Sequence, residues 1–409
     1  MNHRKTFAIV GAGLAGAKAA ETLREEGFDG RIVLIGDDPE RPYERPPLSK
    51  GYLAGKDDRE KAFVHDGDFY DAHDVELRTG ARVTAIHPPG LELVLDDSER
   101  VGFDRLLLTT GAEPRRLDLP GADMPGVVYL RTLADSERLR SELERKPRVA
   151  VIGAGWIGCE VAATAREAGC EVVMVEMADL PLERVLGAEV GGVFRDLHAA
   201  HGVELHLGAR LEALEGDERV QRVRLGDKSI DCDLVVVGIG VTPRTELARG
   251  AGLDIDNGIV VDARLATREE VIFAAGDVAN AWHPLFGHRI RIEHWANALN
   301  QGPAAARSML GTGEPYERVP YFFSDQYDLG MEYSGYAPSW DRVVFRGDPA
   351  SREFIAFWLK GKRVVAGMNA NVWDVTDTIQ ALVRSGADVD PSALADSGTD
   401  LAELASAAA

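Results

Sequence analysis

The sequence predicts an α/β protein with two parallel-sheet domains, the first interrupted by the second, and a smaller α+β domain at the C-terminal end. Three observations predict it. The stretch FAIVGAGLAGAKAAETLREEG from Phe7 is echoed by VAVIGAGWIGCEVAATAREAG from Val149. Each copy runs from a β-branched apolar segment through a glycine turn into an Ala-, Leu- and Glu-rich pattern of helical period, and each is followed by a further apolar run. From about Val319 the pattern changes to shorter strands and a single helix.

Taken in order, the first repeat ends at Gly27 and leads into a buried strand, RIVLIG, closing at Gly36. The Pro-rich ERPYERPPLSKGYL then stops extended structure and pre-sets a helix start near Pro47. FDRLLLTTGAEP reads as a short buried strand with a glycine turn. The second repeat ends at Gly169 and leads into EVVMVE, closing at Glu176. CDLVVVGIGVTP and VIFAAGDVAN are further buried strands with glycine turns. VVFRG, FIAFWLKG and RVVAGMNAN read as antiparallel strands, followed by one helix, VWDVTDTIQALVRSG, and a frayed Ala-rich tail. The expected boundaries are 1–112 with 248–318 for the first domain, 113–247 for the second and 319–409 for the third.

The formal charge of -21 would repel phosphate backbones and anionic lipid, so no nucleic-acid or membrane partner is expected. The chain holds three cysteines, Cys159, Cys170 and Cys232, at spacings that suit no zinc site or iron–sulfur cluster, and no metal is expected. The opening residues set a basic segment before a small apolar run, but Lys18 interrupts the run, and a strand and helix explain it better than a signal peptide. With no run of about 18 apolar residues, a cytoplasmic location is expected.

Gly11, Gly13 and Gly16 form GxGxxG after a strand and at a helix start, and Gly153, Gly155 and Gly158 repeat it. The first glycine permits the tight turn, the second lets backbone approach a pyrophosphate, and the third lets helix and strand pack closely. The helix N-terminus meets the negative charge. These are Rossmann-like dinucleotide-binding signatures, and two dinucleotides on one chain point to electron transfer between them. An acid ending the second strand accepts ribose hydroxyls. Glu176 stands there in the second unit and favours NADH over NADPH, with Arg184 nearby as an opposing charge. In the first unit Gly36 takes that place and Asp37 follows, either as the ribose acceptor or as a solvated turn residue.

Beyond the two fingerprints, PYERPPLSKGYL, LLLTTGAEPR, FAAGDVAN, RIEHWANAL and PYFFSDQYDLG occur in that order. Together they resemble the FAD-dependent, NADH-dependent ferredoxin reductases that serve bacterial Rieske oxygenases and cytochrome P450 systems, over almost the whole chain. The resemblance implies an FAD domain interrupted by an NAD domain. It places Ala15, Asp37, Arg45, Lys50, Val83, Arg131, Asp277, Glu293, His294 and Trp295 at the flavin, with Asp277 on the ribityl chain and Trp295 shielding one flavin face. It places Ile157, Glu160, Arg184, Gly238, Ile239 and Gly240 at the nicotinamide nucleotide. It pairs Lys50 with Glu160 beside the flavin, as the pair that positions nicotinamide and tunes the local charge. His294 carries no catalytic role.

The activity so implied is hydride transfer from NADH to FAD, then single electrons to a [2Fe-2S] ferredoxin. Pro46, Pro47 and Lys50 stand where disulfide-reducing relatives carry a reactive cysteine, which argues against that chemistry. An NADH oxidase or diaphorase, and a redox sensor resembling apoptosis-inducing factor, are the alternatives. Docking of an acidic ferredoxin would use Arg289, Arg291 and Arg307 with Tyr321, Phe322 and Phe323. The family usually has tryptophan among those aromatics, and here there is none.

Overall fold

In the computed structural model, which describes residues 4–408, each glycine-bearing repeat folds as strand, turn and helix in the middle of its own parallel sheet. The chain divides into two units. One comprises the chain up to Arg45, Arg59–Glu113 and Thr242–Pro320; the other comprises Pro46–Asp58, Pro114–Val241 and Tyr321 onward.

In the first unit five strands lie side by side in the order Ile272–Ala274, Arg105–Leu108, Thr6–Val10, Arg31–Ile35, Val75–Arg78. All neighbours are parallel, with Phe7 opposite Ile32 and Val10 opposite Ile35. Helices on such a sheet bury both faces, which is why Thr6–Val10 is buried throughout and reads as a continuous apolar run. The Leu14–Glu25 helix packs along the Trp295–Leu310 helix. A Cβ on Gly302 would stand 2.3 Å from the Ala15 carbonyl oxygen, so only glycine allows that approach.

The second unit repeats the plan with Glu204–His206, Glu171–Val175, Arg148–Ile152, Leu234–Val237 and Val127–Tyr129, again all parallel. It also contains an antiparallel five-stranded sheet, ordered Tyr321–Gln326, Leu329–Gly335, Arg363–Ala370, Glu353–Lys360, Arg342–Asp348. The three strands read from the sequence are the last three of these. The Tyr321–Gln326 and Leu329–Gly335 hairpin completes the sheet. Its face and the Glu183–Ala200 helix share one core, in which Trp358 donates from Nε1 to the Leu186 carbonyl at 3.0 Å. That carbonyl adjoins Gly187, whose φ of 79° breaks the helix there.

The C-terminal tail corrects the sequence reading. It is not frayed but forms two further helices, Pro391–Ala395 and Leu401–Ala408. Asp390 caps the first by accepting from Ser392 N, with Pro391 at the first helical position. In the second, Leu401 and Ala405 fall one turn apart and are buried against the Thr376–Ser385 helix. Among the described residues no helix is long and apolar enough to cross a membrane.

Candidate functional site: two glycine cradles and a buried ion pair

The three glycines of each fingerprint divide by what surrounds them. A Cβ on Gly11 would lie 2.1 Å from the Thr109 carbonyl oxygen, and one on Gly16 would lie 2.2 Å from the Gly11 carbonyl oxygen. Those two glycines are required by the fold itself. A Cβ on Gly13 would meet nothing within 4 Å. The second unit behaves alike, with Gly153 at 2.5 Å from the Gly238 oxygen, Gly158 at 2.0 Å from the Gly153 oxygen, and Gly155 no closer than 3.9 Å to any atom. Packing therefore gives no reason for glycine at 13 or 155, whereas a pyrophosphate lying against the backbone does. Gly13 and Gly155 cap the Leu14–Glu25 and Trp156–Glu167 helices without a side-chain hydrogen bond, and neither helix has an acid in its first turn. Their amides suit an anion.

At the second cradle Glu176 follows the Glu171–Val175 strand. Its Oε2 accepts from Ala154 N at 2.7 Å and its Oε1 from Ala178 N at 2.9 Å, which fixes the carboxylate at the strand end. Ile157, Met177, Val185 and Ile239 are among the few large apolar side chains left exposed; Ile157 lies in the fingerprint, Met177 follows Glu176, Ile239 Cγ2 would stand 3.4 Å from a Cβ on Gly153, and Val185 follows Leu182, whose amide donates to the Ala154 carbonyl. Exposed apolar groups clustered around a polar anchor mark a ligand groove. Met177 and Val185 escape sequence reading because nothing local distinguishes them from core residues. Arg184 is exposed on the adjoining helix, and Gly238 and Gly240 flank Ile239.

In the first unit Gly36 cannot be an acid, since its Cβ would sit 2.5 Å from that of Ala12. Asp37 is held by Arg244, with 2.6 Å between Oδ2 and Nη2. The guanidinium hydrogen bond holds its carboxyl below the usual range against the opposing effect of burial. Arg244 stands 207 residues along the chain and carried no local signal. Gly276 presents its amide to Gln301 Oε1 at 2.9 Å, and Asp277 beside it is 8% exposed. A Cβ on Gly276 would come within 3.3 Å of the Ala15 Cβ, so Ala15 and the Asp277 turn are neighbours. Burial raises the Glu44 carboxyl, and Trp295 acts on it in the opposite sense. Desolvation pushes the His294 imidazole down to about 4, so it is neutral where it precedes the Trp295–Leu310 helix. Val83 is buried on its strand, and Arg45 is exposed.

Lys50 and Glu160, 110 residues apart, meet in the second unit with 2.7 Å between Nζ and Oε1. Lys50 leaves a turn of 3-10 helix, Pro46–Ser49, that the prolines start as expected. Their side chains are 17% and 5% exposed, so the pair is largely desolvated. Ser49 and Ser324 also donate to Glu160, at 2.5 and 2.7 Å. Lys50 Nζ lies 5.2 Å from the Phe323 ring centroid. Arg131 belongs to this second unit as well, and its backbone amide donates to Asp135 Oδ2.

Two docking candidates are corrected. Arg291 has a side chain only 9% exposed, paired with Glu293 at 2.5 Å and donating to the Asp277 carbonyl, so it is a structural cation. Phe322 is buried against Trp156 and Tyr333 and is a core ring.

A family model described as pyridine nucleotide-disulphide oxidoreductase matches residues 5–302. The chain belongs to that family. A second model, reductase C-terminal, matches 321–405. The oxidoreductase is 42% identical to the anthranilate 1,2-dioxygenase system ferredoxin–NAD(+) reductase component of Burkholderia cepacia, over 95% of this chain and 97% of that one. It is 37% identical to putidaredoxin reductase of Pseudomonas putida, over 100% of this chain and 98% of that one. A crystal structure of the covalent putidaredoxin reductase–putidaredoxin complex matches with a TM-score of 0.96 at 37% identity, covering 100% of this chain and 99% of that chain. These likenesses place the oxidoreductase among the ferredoxin reductases. Its cysteines suit that branch better than the disulphide chemistry of the family's name. All three are buried, and burial raises each thiol, Cys232 to about 12.

Proposed function

We propose that this chain is the NADH-dependent reductase of an oxygenase or P450 system, binding FAD on residues 1–112 and 248–318 and NAD on 113–247, and delivering electrons to a [2Fe-2S] ferredoxin. The observation that carries it is the pair of open glycines, Gly13 and Gly155, each in a turn whose other glycines the fold requires. A bound flavin supplies the conversion of a two-electron donor into single electrons. The chain supplies position and charge. Amides at Gly13 and Gly155 receive the pyrophosphates, Asp277 and Asp37 accept hydroxyl hydrogens in the first unit, and Glu176 accepts those of the adenosine ribose in the second. Lys50, oriented by Glu160, directs the nicotinamide.

The deciding experiment is cytochrome c reduction by NADH with and without an added [2Fe-2S] ferredoxin. A strong rise on adding ferredoxin is expected. Oxygen consumption that ferredoxin leaves unchanged would instead identify an oxidase, and an NADH-dependent change of oligomer size with negligible turnover would identify a sensor.

Glu176 sets the nucleotide preference. Glu176→Arg removes a hydroxyl acceptor and supplies a phosphate partner, and a charged hydrogen bond is worth about 1.5 to 3 kcal/mol. The ratio of kcat/KM for NADH over NADPH should therefore fall about tenfold or more. An unchanged ratio would show that the carboxylate touches no ribose.

With a net charge of -21, long-range steering opposes an acidic partner, and docking must rest on local cations. Arg289 and Arg307 are the remaining candidates; Arg307 is half-exposed and shared with Glu26 at 2.7 Å. Arg307→Glu is expected to raise the KM for ferredoxin about fivefold at low salt, the scale of one exposed charge contact, and to leave flavin reduction by NADH unaltered. An unaltered KM would put the docking face elsewhere.

A further inference from the structure

The buried pair is the end of a longer chain of hydrogen bonds inside the second unit. Behind Ser324, Gln326 donates from Nε2 to the serine oxygen at 3.2 Å. His198 Nε2 stands 3.0 Å from Gln326 Oε1, and the Tyr327 hydroxyl stands 3.4 Å from His198 Nδ1. Ser324, Gln326 and His198 are 1%, 1% and 0% exposed. Phe322, Ser324 and Gln326 share the inward face of the Tyr321–Gln326 strand, where alternate residues point the same way. Apolar residues would fill that face more cheaply, because a buried amide or hydroxyl is costly unless every polar group finds a partner.

One assignment of protons satisfies the whole chain. A carboxylate facing an ammonium can only accept, so Ser324 donates to Glu160 and its own oxygen receives the Gln326 amide. The Gln326 oxygen then faces His198, whose Nε2 must carry the ring proton, leaving Nδ1 to accept from Tyr327. Burial pushes the His198 imidazole down to about 4, so the ring is neutral and has one donor and one acceptor to offer. Every donor in the chain points toward Glu160.

We propose that Ser324, Gln326 and His198 are positioning residues for hydride transfer, holding the Glu160 carboxylate turned toward Lys50 while Ser49 holds its other oxygen. The proposal rests on the reading that the Lys50–Glu160 pair serves NADH oxidation. Removing Ser324 leaves the carboxylate with fewer donors and free to rotate, whereas the groups further back act only through that serine.

The test uses the flavin-loaded enzyme. Ser324→Ala, which creates almost no change in shape, should slow flavin reduction at saturating NADH about tenfold, the effect of one hydrogen bond to a charged group, while the Kd for NADH stays near wild type and the Tm falls by only about a few degrees as the Gln326 amide loses its acceptor. Gln326→Met should slow it less. Combined with Glu160→Gln, Ser324→Ala should add nothing, because both act through one carboxylate. A Ser324→Ala enzyme at the wild-type rate while Glu160→Gln is slow overturns the proposal, as does a double variant whose effects multiply. Wild-type rates in Glu160→Gln would instead remove the reading of the pair. The relay has its own readout that does not involve turnover. In enzyme with 15N-labelled histidine, the His198 resonance, assigned by its loss in His198→Gln, should report the neutral Nε2-protonated tautomer. The Nδ1-protonated form would reverse the chain and overturn it.

Discussion

Gly13→Val is expected to purify as a folded but colourless protein, with flavin content falling about tenfold or more because a branched side chain takes the place of the pyrophosphate. Two features separate this substitution from ordinary damage. The Gly13 backbone is extended, with φ of -102°, and valine adopts that conformation without strain. Apart from its two chain neighbours, no protein atom lies within 4 Å of the added Cβ, so packing leaves that position open. Gly16→Val is the opposite control, because its Cβ would strike the Gly11 carbonyl and disturb the turn itself. The ratio of flavin to protein absorbance, read with the Tm, distinguishes the two. A Gly13→Val protein with full flavin would mean that this cradle does not receive the pyrophosphate. Gly155→Val should keep its flavin and lose affinity for NADH.

Lys50→Ala and Glu160→Gln should each slow reduction of the flavin by NADH about a hundredfold, with flavin retention little changed. The magnitude follows from burial. Breaking a desolvated pair leaves one group without its partner, at a cost of about 3 to 5 kcal/mol, and the part of that cost felt in the transition state appears in the rate. Lys50 is slightly exposed and Glu160 keeps two serine donors, so the lower part of that range applies. The double variant should be less impaired than the product of the single effects, since the second substitution removes the charge that the first left unpaired. Stopped-flow rates that simply multiply would show two independent residues. Flavin loss in place of slow reduction would make the pair a structural support.

Much of the proposed chemistry rests on short stretches of sequence. The Gly11–Gly16 and Gly153–Gly158 spacings, the flanking apolar runs and the acid at Glu176 each depend on residues a few positions apart, which backbone geometry and strand or helix period constrain directly. The Lys50–Glu160 pair was legible only through resemblance, since 110 residues separate its members. Arg291 misled for a related reason. An arginine in RIEHW reads as solvated, and only the fold shows Glu293 and the Asp277 carbonyl enclosing it. The Ala-rich tail reads as frayed because helical propensity alone is marginal in so short a segment, and its order comes from Leu401 and Ala405 packing on another helix.

The sequence by itself determined two parallel α/β units, an antiparallel C-terminal sheet and the two glycine turns proposed to receive dinucleotides, because glycine conformation and side-chain period act within one or two turns of chain. The tertiary structure alone decided which fingerprint glycines the fold requires and which stand open. It alone brought Arg244 to Asp37, and Ser49, Ser324, Gln326 and His198 into the surroundings of Glu160. Apart from the Gln326–Ser324 bond within one strand, those side-chain contacts join segments more than a hundred residues apart, and a hydrogen bond between them depends on the final position of each backbone to within a few tenths of an ångström. No local pattern of residues carries that information.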